Sequence, residues 1–355
     1  MMELATTINV DREETKMNII TVGLDLAKNV FHVIGFNEHG KEVKKRMLRR
    51  KQVRQFFTQL PPCLVSMEAC ATAHYWGREL CALGHDVKLI PPQYVKPLVQ
   101  GNKNDYNDAR AIAEAVNRPG IQFVAIKTVE EHDMQAVHRM RSQCLRDRTA
   151  LSNSTRGLLG EYGICIAKGL AVLRRSIPEI LEDAENGLSL RFRNLLARRY
   201  EQLVELDEHI AFYTKELELF SRQDDACQRL QTVPGFGTIV ASAFRSTIGD
   251  GRAYVRGRHA AASLGLVPRQ HSTGGKNVLL GISKRGDKYL RKLLIHGART
   301  VVLHAANKDD PLSLWVNRIR ERRGYNKAAV AMANKMARMG WAVLRYNTQY
   351  DPSLA

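Results

Sequence analysis

The sequence lacks the features that mark membrane, secreted and zinc-binding proteins. No apolar run approaches the length of a membrane span, and the first seventeen residues are too polar for a secretory signal. The six cysteines form no C-x-x-C pair, so neither a zinc site nor a disulfide framework is indicated. We therefore expect a protein of the reducing cytoplasm that has no membrane partner.

Acidic residues are scarce relative to basic ones, and the imbalance is local. The 355 residues include 36 Asp and Glu against 54 Lys and Arg, for a net charge of +18. Residues 251–340 hold nineteen Lys and Arg but four acids, so this quarter of the chain carries +15 of that charge. Such a patch favours a polyanionic partner, nucleic acid first. The length and the 44% hydrophobic content suffice for two or three domains.

Residues 1–17 are predicted to be a flexible tail, and Met1 and Met17 are alternative translation starts. Short apolar segments follow this tail. The spacing predicts strands over 18–26, 30–36 and 63–68, a basic edge strand and helix within 41–60, a helix over 73–83 and a strand over 86–90. A further helix follows residue 104. This order, three strands, helix, strand, helix, strand, helix, is that of the ribonuclease H fold, and we assign it to residues 18–127.

Four carboxylates occupy informative positions in this predicted domain: Asp25, Glu68, Asp105 and Asp108. The first lies within an apolar strand, where an unpaired buried carboxylate costs several kcal/mol. The last two lie three residues apart on one helix face, after a cap at Asn104 or Asp105. They either pair with Lys103 and Arg110 or, together with the strand acids, hold Mg²⁺, which prefers oxygen ligands. Two such ions about 4 Å apart would activate a nucleophile and stabilise the leaving oxygen of a phosphodiester.

Residues 128–223 carry heptad repeats that predict a long helical hairpin or coiled coil. The first repeat is Val137, Cys144, Leu151 and Leu158. A turn region with Gly163, Gly169 and Pro178 separates it from a helix over 190–220, with a second repeat of Leu196, Leu203, Ile210 and Leu217. A dimer interface or spacer and an ordinary amphipathic helix packed within the chain are equally compatible with this pattern.

The last predicted domain, 224–346, is mainly helical and begins with V-P-G-F-G between two helical segments. This is typical of a helix-hairpin-helix element, in which Gly235 and Gly237 let backbone N–H groups approach a phosphate. Residues 347–355 are assigned to a tail. Trp315 and Trp341 are predicted to be core residues rather than base-stacking ones.

A polar loop, H-S-T-G-G-K, follows in the basic quarter. A hydroxyl there, flanked by Arg269 and Lys276, is able to attack phosphorus while the cations stabilise the developing charge, although a solvated turn is the simpler interpretation. Next comes a cationic segment predicted to track phosphates, formed by Lys284, Arg285, Lys288, Arg291 and Lys292.

Together these segments resemble the DEDD transposases of the insertion-sequence one-ten (IS110) family, now understood as bridge-RNA-guided recombinases. The resemblance covers nearly all of residues 18–346. It is carried by G-L-D-L-A-K, S-M-E-A-C and K-N-D-Y-N-D-A-R in the first domain, and by V-P-G-F-G, L-G-L-V-P-R, H-S-T-G-G-K and S-K-R-G-D-K-Y-L-R in the last. The motif H-S-T-G-G-K resembles that of the eleven-eleven (IS1111) subgroup of this family more closely.

The resemblance implies a RuvC-like domain whose four acids bind Mg²⁺ and a C-terminal domain that supplies a nucleophilic serine. That role falls on Ser272, with Thr273 and Ser283 as competitors. It further implies a covalent phosphoserine intermediate, a composite site built by two protomers of a dimer or tetramer, and a structured guide RNA that pairs with donor and target DNA. The setting would be the prokaryotic cytoplasm, in association with the nucleoid.

Two other functions remain compatible with the residues. One is a RuvC-type structure-selective nuclease that uses metal-activated water, and the other is a non-enzymatic nucleic-acid-binding protein whose acids are structural. Substitution of Ser272 separates the recombinase from the nuclease, and substitution of the acids separates both from the binding protein.

Overall fold

The computed structural model describes residues 18–101 and 104–354, in two compact units. The first unit contains the chain up to Thr128 together with Arg252–Val255, and the second contains Val129–Gly251 and the chain from Arg256 onward. The predicted tail over residues 1–17 and the predicted pairing partner Lys103 lie outside the described residues. None of the described helices is long and apolar enough to cross a membrane.

A five-stranded sheet forms the centre of the first unit, in the order β3-β2-β1-β4-β5. The strands are β1 Thr21–Asp25, β2 Val30–Phe36, β3 Glu42–Arg49, β4 Leu64–Glu68 and β5 Asp86–Ile90. The first three pair antiparallel, whereas β4 pairs parallel with both β1 and β5. The predicted element order is therefore confirmed, with β1 three residues shorter at its start than the apolar pattern indicated.

Helices pack around this sheet and close two apolar clusters. They are α1 Arg50–Thr58, α2 Ala73–Ala82, α3 Pro92–Val95 with a 3-10 turn at Lys96–Leu98, and α4 Asp105–Val116. The α4 residues predicted to face inward are buried, namely Ala109, Ile112, Ala113 and Val116. The helix starts where expected, because the Asn104 side chain accepts a hydrogen bond from the Tyr106 backbone N–H.

Glycine at position 23 lets α4 approach β1 closely. A Cβ atom built there would lie 2.0 Å from the carbonyl oxygen of Ala109 and 2.8 Å from the Ala113 Cβ. No side chain fits in that space. The strand that carries Asp25 and the helix that carries Asp105 and Asp108 are thus held in direct backbone contact.

The second unit is mainly helical. Its long helices are α5 Val129–Gly160 and α7 Leu190–Gln223, with α6 Leu170–Glu182 between them. Its remaining elements are α8 Asp225–Leu230, α9 Thr238–Ile248, α10 Gly257–Ser263, β6 Pro268–Gln270, β7 Leu279–Ile282, α11 Lys288–His304, α12 Pro311–Arg323 and α13 Tyr325–Tyr346. The region predicted as a turn between the long helices contains α6, and Pro178 lies inside that helix.

The structure agrees with the heptad prediction more closely on α7 than on α5. The α7 positions are buried as expected: Leu196, Leu203, Ile210 and Leu217. The α5 prediction holds in part: Val137, Cys144 and Leu151 are half-buried, whereas Leu158 is 42% exposed. The fully buried residues of α5 include His138, Ser152, Thr155 and Leu159. Leu159 of α5 shares an apolar cluster with Leu196 and Leu203 of α7. Polar contacts add to it, since Arg148 of α5 and Arg174 of α6 both bind the Asp207 carboxylate of α7, at 2.5 and 2.6 Å.

Residues after α13 fold back onto the unit rather than extending from it. The backbone N–H of Tyr350 donates to the Thr232 hydroxyl at 2.9 Å, and a 3-10 turn follows at Pro352–Leu354. Trp341 is 7% exposed, as predicted for a core residue, and its indole N–H donates to the Gly251 carbonyl. Trp315 is half-buried and lines a cavity, so its prediction as a core residue is wrong.

Candidate metal centre and nucleic-acid interface

Three of the predicted acids converge at the C-terminal end of β1, the central strand of the sheet in the first unit. Carboxylate oxygens of Asp25, Asp105 and Asp108 all lie within 4.8 Å of one another. Asp25 ends β1, and the other two occupy the first turn of α4. Because three anions repel at this distance, the arrangement fits an oxygen-liganded divalent cation.

The electrostatics of Asp25 reflect this crowding. Burial, followed by the charges of Asp108, Asp105 and Glu68, raises its pKa from 3.8 to about 6. Its neighbours therefore disfavour its ionised form near neutral pH. A cation among the carboxylates reverses that preference, which is the expected behaviour of a metal ligand in its metal-free state.

Glu68 ends β4, the strand beside β1, and belongs to the same electrostatic group. Burial and the charge of Asp108 raise its pKa, while Lys96 opposes the rise. Its carboxylate is not part of the tight three-residue cluster. The fourth predicted acid thus lies beside the cluster and is coupled to it through the charge of Asp108.

The sequence left two alternatives for Asp105 and Asp108, pairing with Lys103 and Arg110 or binding of a metal, and within the described residues neither acid pairs with Arg110. Arg110 instead binds Glu42 on β3, at 2.7 Å, and the Asn107 side chain, at 3.1 Å. Within residues 18–101 and 104–354, His32 is the one basic side chain at ion-pair distance from the four acids. The negative charge of the cluster is consequently left without a Lys or Arg counterion in the described part of the chain.

His32 is the site residue that sequence reasoning missed. It lies on β2 directly opposite Asp25, and its Nδ1 is 3.4 Å from the Asp105 carboxylate in a geometry that makes no hydrogen bond. The ring is 8% exposed and packs edge-on against Tyr106, whose own ring lies under the Lys45 ammonium. A polar residue inside the apolar run V-F-H-V-I-G-F was the available signal.

Ser272 belongs to the second unit, on an exposed β-hairpin. β6 and β7 are joined through a bridge between Thr273 and Lys276, and the two intervening glycines, Gly274 and Gly275, have φ angles of 55° and 78°. Those angles are typical of a tight type I′ turn, so the predicted polar loop is a hairpin tip. The Ser272 hydroxyl accepts a hydrogen bond from the Gln270 amide, at 2.8 Å.

The two competing hydroxyls differ in exposure. Thr273 is exposed beside Ser272, whereas the Ser283 hydroxyl is buried and has no hydrogen-bond partner. Arg269 and Lys276 are both exposed on the same hairpin. Of the three candidate nucleophiles, the two at the hairpin tip are open to a substrate.

Most of the predicted cationic segment lies on the surface of the second unit. Lys284, Arg285, Lys288 and Lys292 are exposed. Arg291 is not: it is 8% exposed, and its guanidinium donates to the carbonyls of Leu264 and Arg285 at 2.9 and 2.6 Å. The prediction that Arg291 binds nucleic acid is therefore wrong, and its side chain instead links the segments that contain Leu264 and Arg285.

The V-P-G-F-G segment connects α8 and α9 as a short turn. Gly235 has φ 88°, and a Cβ there would lie 2.7 Å from the Met336 side chain, so its backbone is packed against α13. Gly237 is exposed with open space around it, and it precedes α9 without a side-chain cap. Of the two glycines, Gly237 is therefore the one open to solvent.

Comparison with known proteins gives a consistent result along both units. Residues 22–164 match a DEDD transposase model named for IS110, and residues 227–311 match the model of the transposase IS116/IS110/IS902 family. The chain is 50% identical to a "probable family 20 transposase" of Pseudomonas aeruginosa, over 95% of this chain and 100% of that protein. It is 44% identical to the transposase for IS1111A of Coxiella burnetii (96% and 93% covered) and 42% identical to that for IS1328 of Yersinia enterocolitica (94% and 99%).

Proposed function

We propose, for a chain that belongs to the IS110/IS116 family of DEDD transposases, that Asp25, Glu68, Asp105 and Asp108 bind Mg²⁺ and that this site processes the DNA of an insertion sequence. The observation that carries the proposal is the convergence of three carboxylates without a Lys or Arg counterion in the described residues. An oxygen-only donor set of this kind suits Mg²⁺ better than a softer metal.

The bound ions would polarise the scissile phosphate and stabilise the leaving oxygen. The protein supplies the geometry. The backbone contact at Gly23 fixes the distance between Asp25 and the α4 acids, and His32 lies beside Asp105 on the next strand.

The nucleophile we propose is the Ser272 hydroxyl. Its oxygen bonds to phosphorus, the bond from phosphorus to the leaving DNA oxygen breaks, and that oxygen takes up a proton as the serine loses one. The resulting phosphoserine ester conserves the bond energy, so a hydroxyl of another strand is able to displace the serine. Exposure at the hairpin tip, with Arg269 and Lys276 nearby, supports this role, and Thr273 is the neighbouring competitor.

Nucleic-acid contacts are assigned to the second unit. The exposed residues Lys284, Arg285 and Lys288 would contact the phosphate backbone. Gly235 and Gly237 would form the turn of a helix-hairpin-helix element, in which the free N–H groups at the start of α9, next to Gly237, bind a phosphate. Such contacts position DNA or RNA without reading its sequence. Sequence choice would then come from pairing with a structured guide RNA, as the family resemblance implies.

The same resemblance leads us to propose a homo-oligomer, a dimer or tetramer in which the serine of one protomer meets the acids of another. The cytoplasm of a prokaryote, close to the nucleoid, is the matching compartment. The long helices α5 and α7 form the spacer of such an assembly, and α7 exposes the large apolar side chains Leu195, Phe212 and Leu219.

A hydrolytic nuclease is the second candidate. It is favoured by the fact that all the clustered acids belong to the first unit, so that activation of water needs no residue of the second. In that case the serine hairpin only binds DNA. The two candidates predict different products, because only the serine pathway links protein to DNA.

Denaturing electrophoresis tests the proposal. Purified protein is incubated with Mg²⁺, a labelled element junction and RNA transcribed from the element's flanking non-coding sequence, for wild type, S272A, T273A and D105A. A labelled protein–DNA adduct that requires RNA and survives T273A, but is lost in S272A and D105A, is the expected result. Cleaved DNA without an adduct, retained in S272A and lost in D105A, would establish the nuclease instead.

A further inference from the structure

A cavity of about 890 Å³ lies in the second unit, and the proposed chemistry uses none of its residues. Its walls come from the start of α10, Trp315 of α12, the part of α13 between Ala331 and Tyr346, and the returning segment 348–351. Close packing builds these walls, since a Cβ at Gly257 would lie 3.0 Å from the Trp341 ring. The volume is within the range of small-ligand sites.

The charge of the lining is strongly positive. Four cationic residues face the cavity, Arg256, Arg258, Lys335 and Arg338, against a single acid, Asp351. That carboxylate already accepts hydrogen bonds from the backbone and hydroxyl of Ser353. In the described residues none of the four cations forms an ion pair with a carboxylate. Unneutralised cations around a concave site favour an anionic ligand.

Aromatic rings form the other part of the lining. The Lys335 ammonium lies 4.7 Å from the ring centroid of Trp315, a cation–π pair at the cavity wall. Trp341 is fixed by its hydrogen bond to Gly251 and packs edge-on against Tyr346, which is 64% exposed. A flat aromatic surface beside cationic groups matches a ligand that has both a planar ring and a phosphate.

We propose that this cavity binds one unpaired nucleotide of the nucleic-acid substrate, with its base stacked on Trp315 and its phosphates at Arg258 and Arg338. Stacking on aromatic side chains tolerates any base, and it requires the base to leave its duplex partner. The site therefore selects single-stranded or locally melted segments, a distinction that phosphate contacts alone do not make. The inference rests on nucleic acid being the substrate, and not on Ser272 or the metal site.

Fluorescence of 2-aminopurine tests this directly in the full-length protein. Ten-nucleotide DNA and RNA single strands, each with one central 2-aminopurine, and the matching DNA duplex are titrated in EDTA, which excludes metal-dependent chemistry. We expect saturable quenching of one or both single strands and little quenching of the duplex. The more strongly quenched strand identifies whether DNA or RNA supplies the nucleotide.

Three variants make the test specific. W315L should abolish the quenching at Trp315 and weaken single-strand binding roughly 5- to 150-fold, the range of one stacked base. R338Q changes an exposed side chain, so it should leave folding intact while lowering the slope of log K against log salt by about one. R318Q, an equal charge change on the exposed side of α12, is the matched control for non-specific charge.

The proposal is overturned if W315L and R338Q bind the single strands no differently from R318Q. It is also overturned if the duplex is bound and quenched as strongly as the single strands, or if an acidic peptide of equal charge displaces them at equal concentration. The proposed metal-dependent function survives each of these failures, because it concerns other residues and is measured with Mg²⁺ present.

Discussion

Replacing Asp25 with Asn should stabilise the metal-free protein while removing its activity. In the metal-free state, burial and then the neighbouring charges of Asp108, Asp105 and Glu68 raise the pKa of Asp25 to about 6. Asn has almost the same shape and no charge, so the substitution removes the repulsion and keeps the packing. A residue retained for structure would behave in the opposite way, because its loss would destabilise the fold.

The magnitude follows from linkage. A shift from 3.8 to about 6 corresponds to roughly 3 kcal/mol at 1.36 kcal/mol per pKa unit. Because Asp25 is partly exposed, solvent screening reduces this to about 1.5 kcal/mol. The folded state binds the proton more tightly than the unfolded state, so the wild-type free energy of unfolding falls as pH rises from about 4 to 6. D25N should lack that fall.

Hydrogen exchange of the β1 amides in EDTA at pH 7.5 is a suitable assay. We expect exchange about tenfold slower in D25N than in wild type, the equivalent of about 1.4 kcal/mol. D86N is the matched control, since Asp86 is an exposed acid on β5 paired with Lys88. Added Mg²⁺ should reverse the order, because only wild type keeps all its ligands. Equal or faster exchange in metal-free D25N would refute the reasoning.

Three further expectations concern other parts of the chain. G23A places a Cβ 2.0 Å from the Ala109 carbonyl, so it should cost roughly 3 kcal/mol in urea unfolding and abolish DNA cleavage by displacing α4; a fully active G23A would contradict this. D207A leaves two arginines without their shared carboxylate between the long helices. It should cost roughly 2 kcal/mol, less than the ~3–5 kcal/mol of fully buried pairs, and unchanged hydrogen exchange in α7 would show otherwise. K288Q should lower the salt slope of DNA binding by about one without affecting thermal unfolding, whereas R291Q should lower the melting temperature; the reverse assignment would be incompatible with their exposures.

The sequence predicts the first unit well, because its signals are local. Alternation and β-branched residues mark the strands, and V-G-L-D-L places a carboxylate where only a partner makes it tolerable. The α4 cap at Asn104 and the buried stripe from Ala109 to Val116 were also recoverable from composition and spacing. These elements carry the acids, so most of the candidate metal site follows from them.

The missed features depend on contacts between distant segments. The position of His32 opposite Asp25 follows from the register of β1 with β2, which the sequence does not show. The ion pair of Arg110 with Glu42 likewise depends on where β3 lies. The buried side of α5 mixes polar residues such as Ser152 and Thr155 with Leu159, so its apolar heptad spacing does not identify it and includes exposed Leu158. The spacing predicts that Arg291 is exposed like Lys288 and Lys292, because sequence does not reveal the two carbonyls that accept its hydrogen bonds.

The measurement that tests the central claim most directly is cleavage of an element-junction DNA in Mg²⁺ and in EDTA by wild type, D25N, E68Q, D105N and D108N, with D86N as control. We expect cleavage by wild type and D86N in Mg²⁺ only, and a loss of at least a hundredfold in D25N, D105N and D108N, on the order of the contribution of one preorganised charge. Cleavage that persists in EDTA, or at the wild-type rate in D25N, would contradict a metal centre built from these acids.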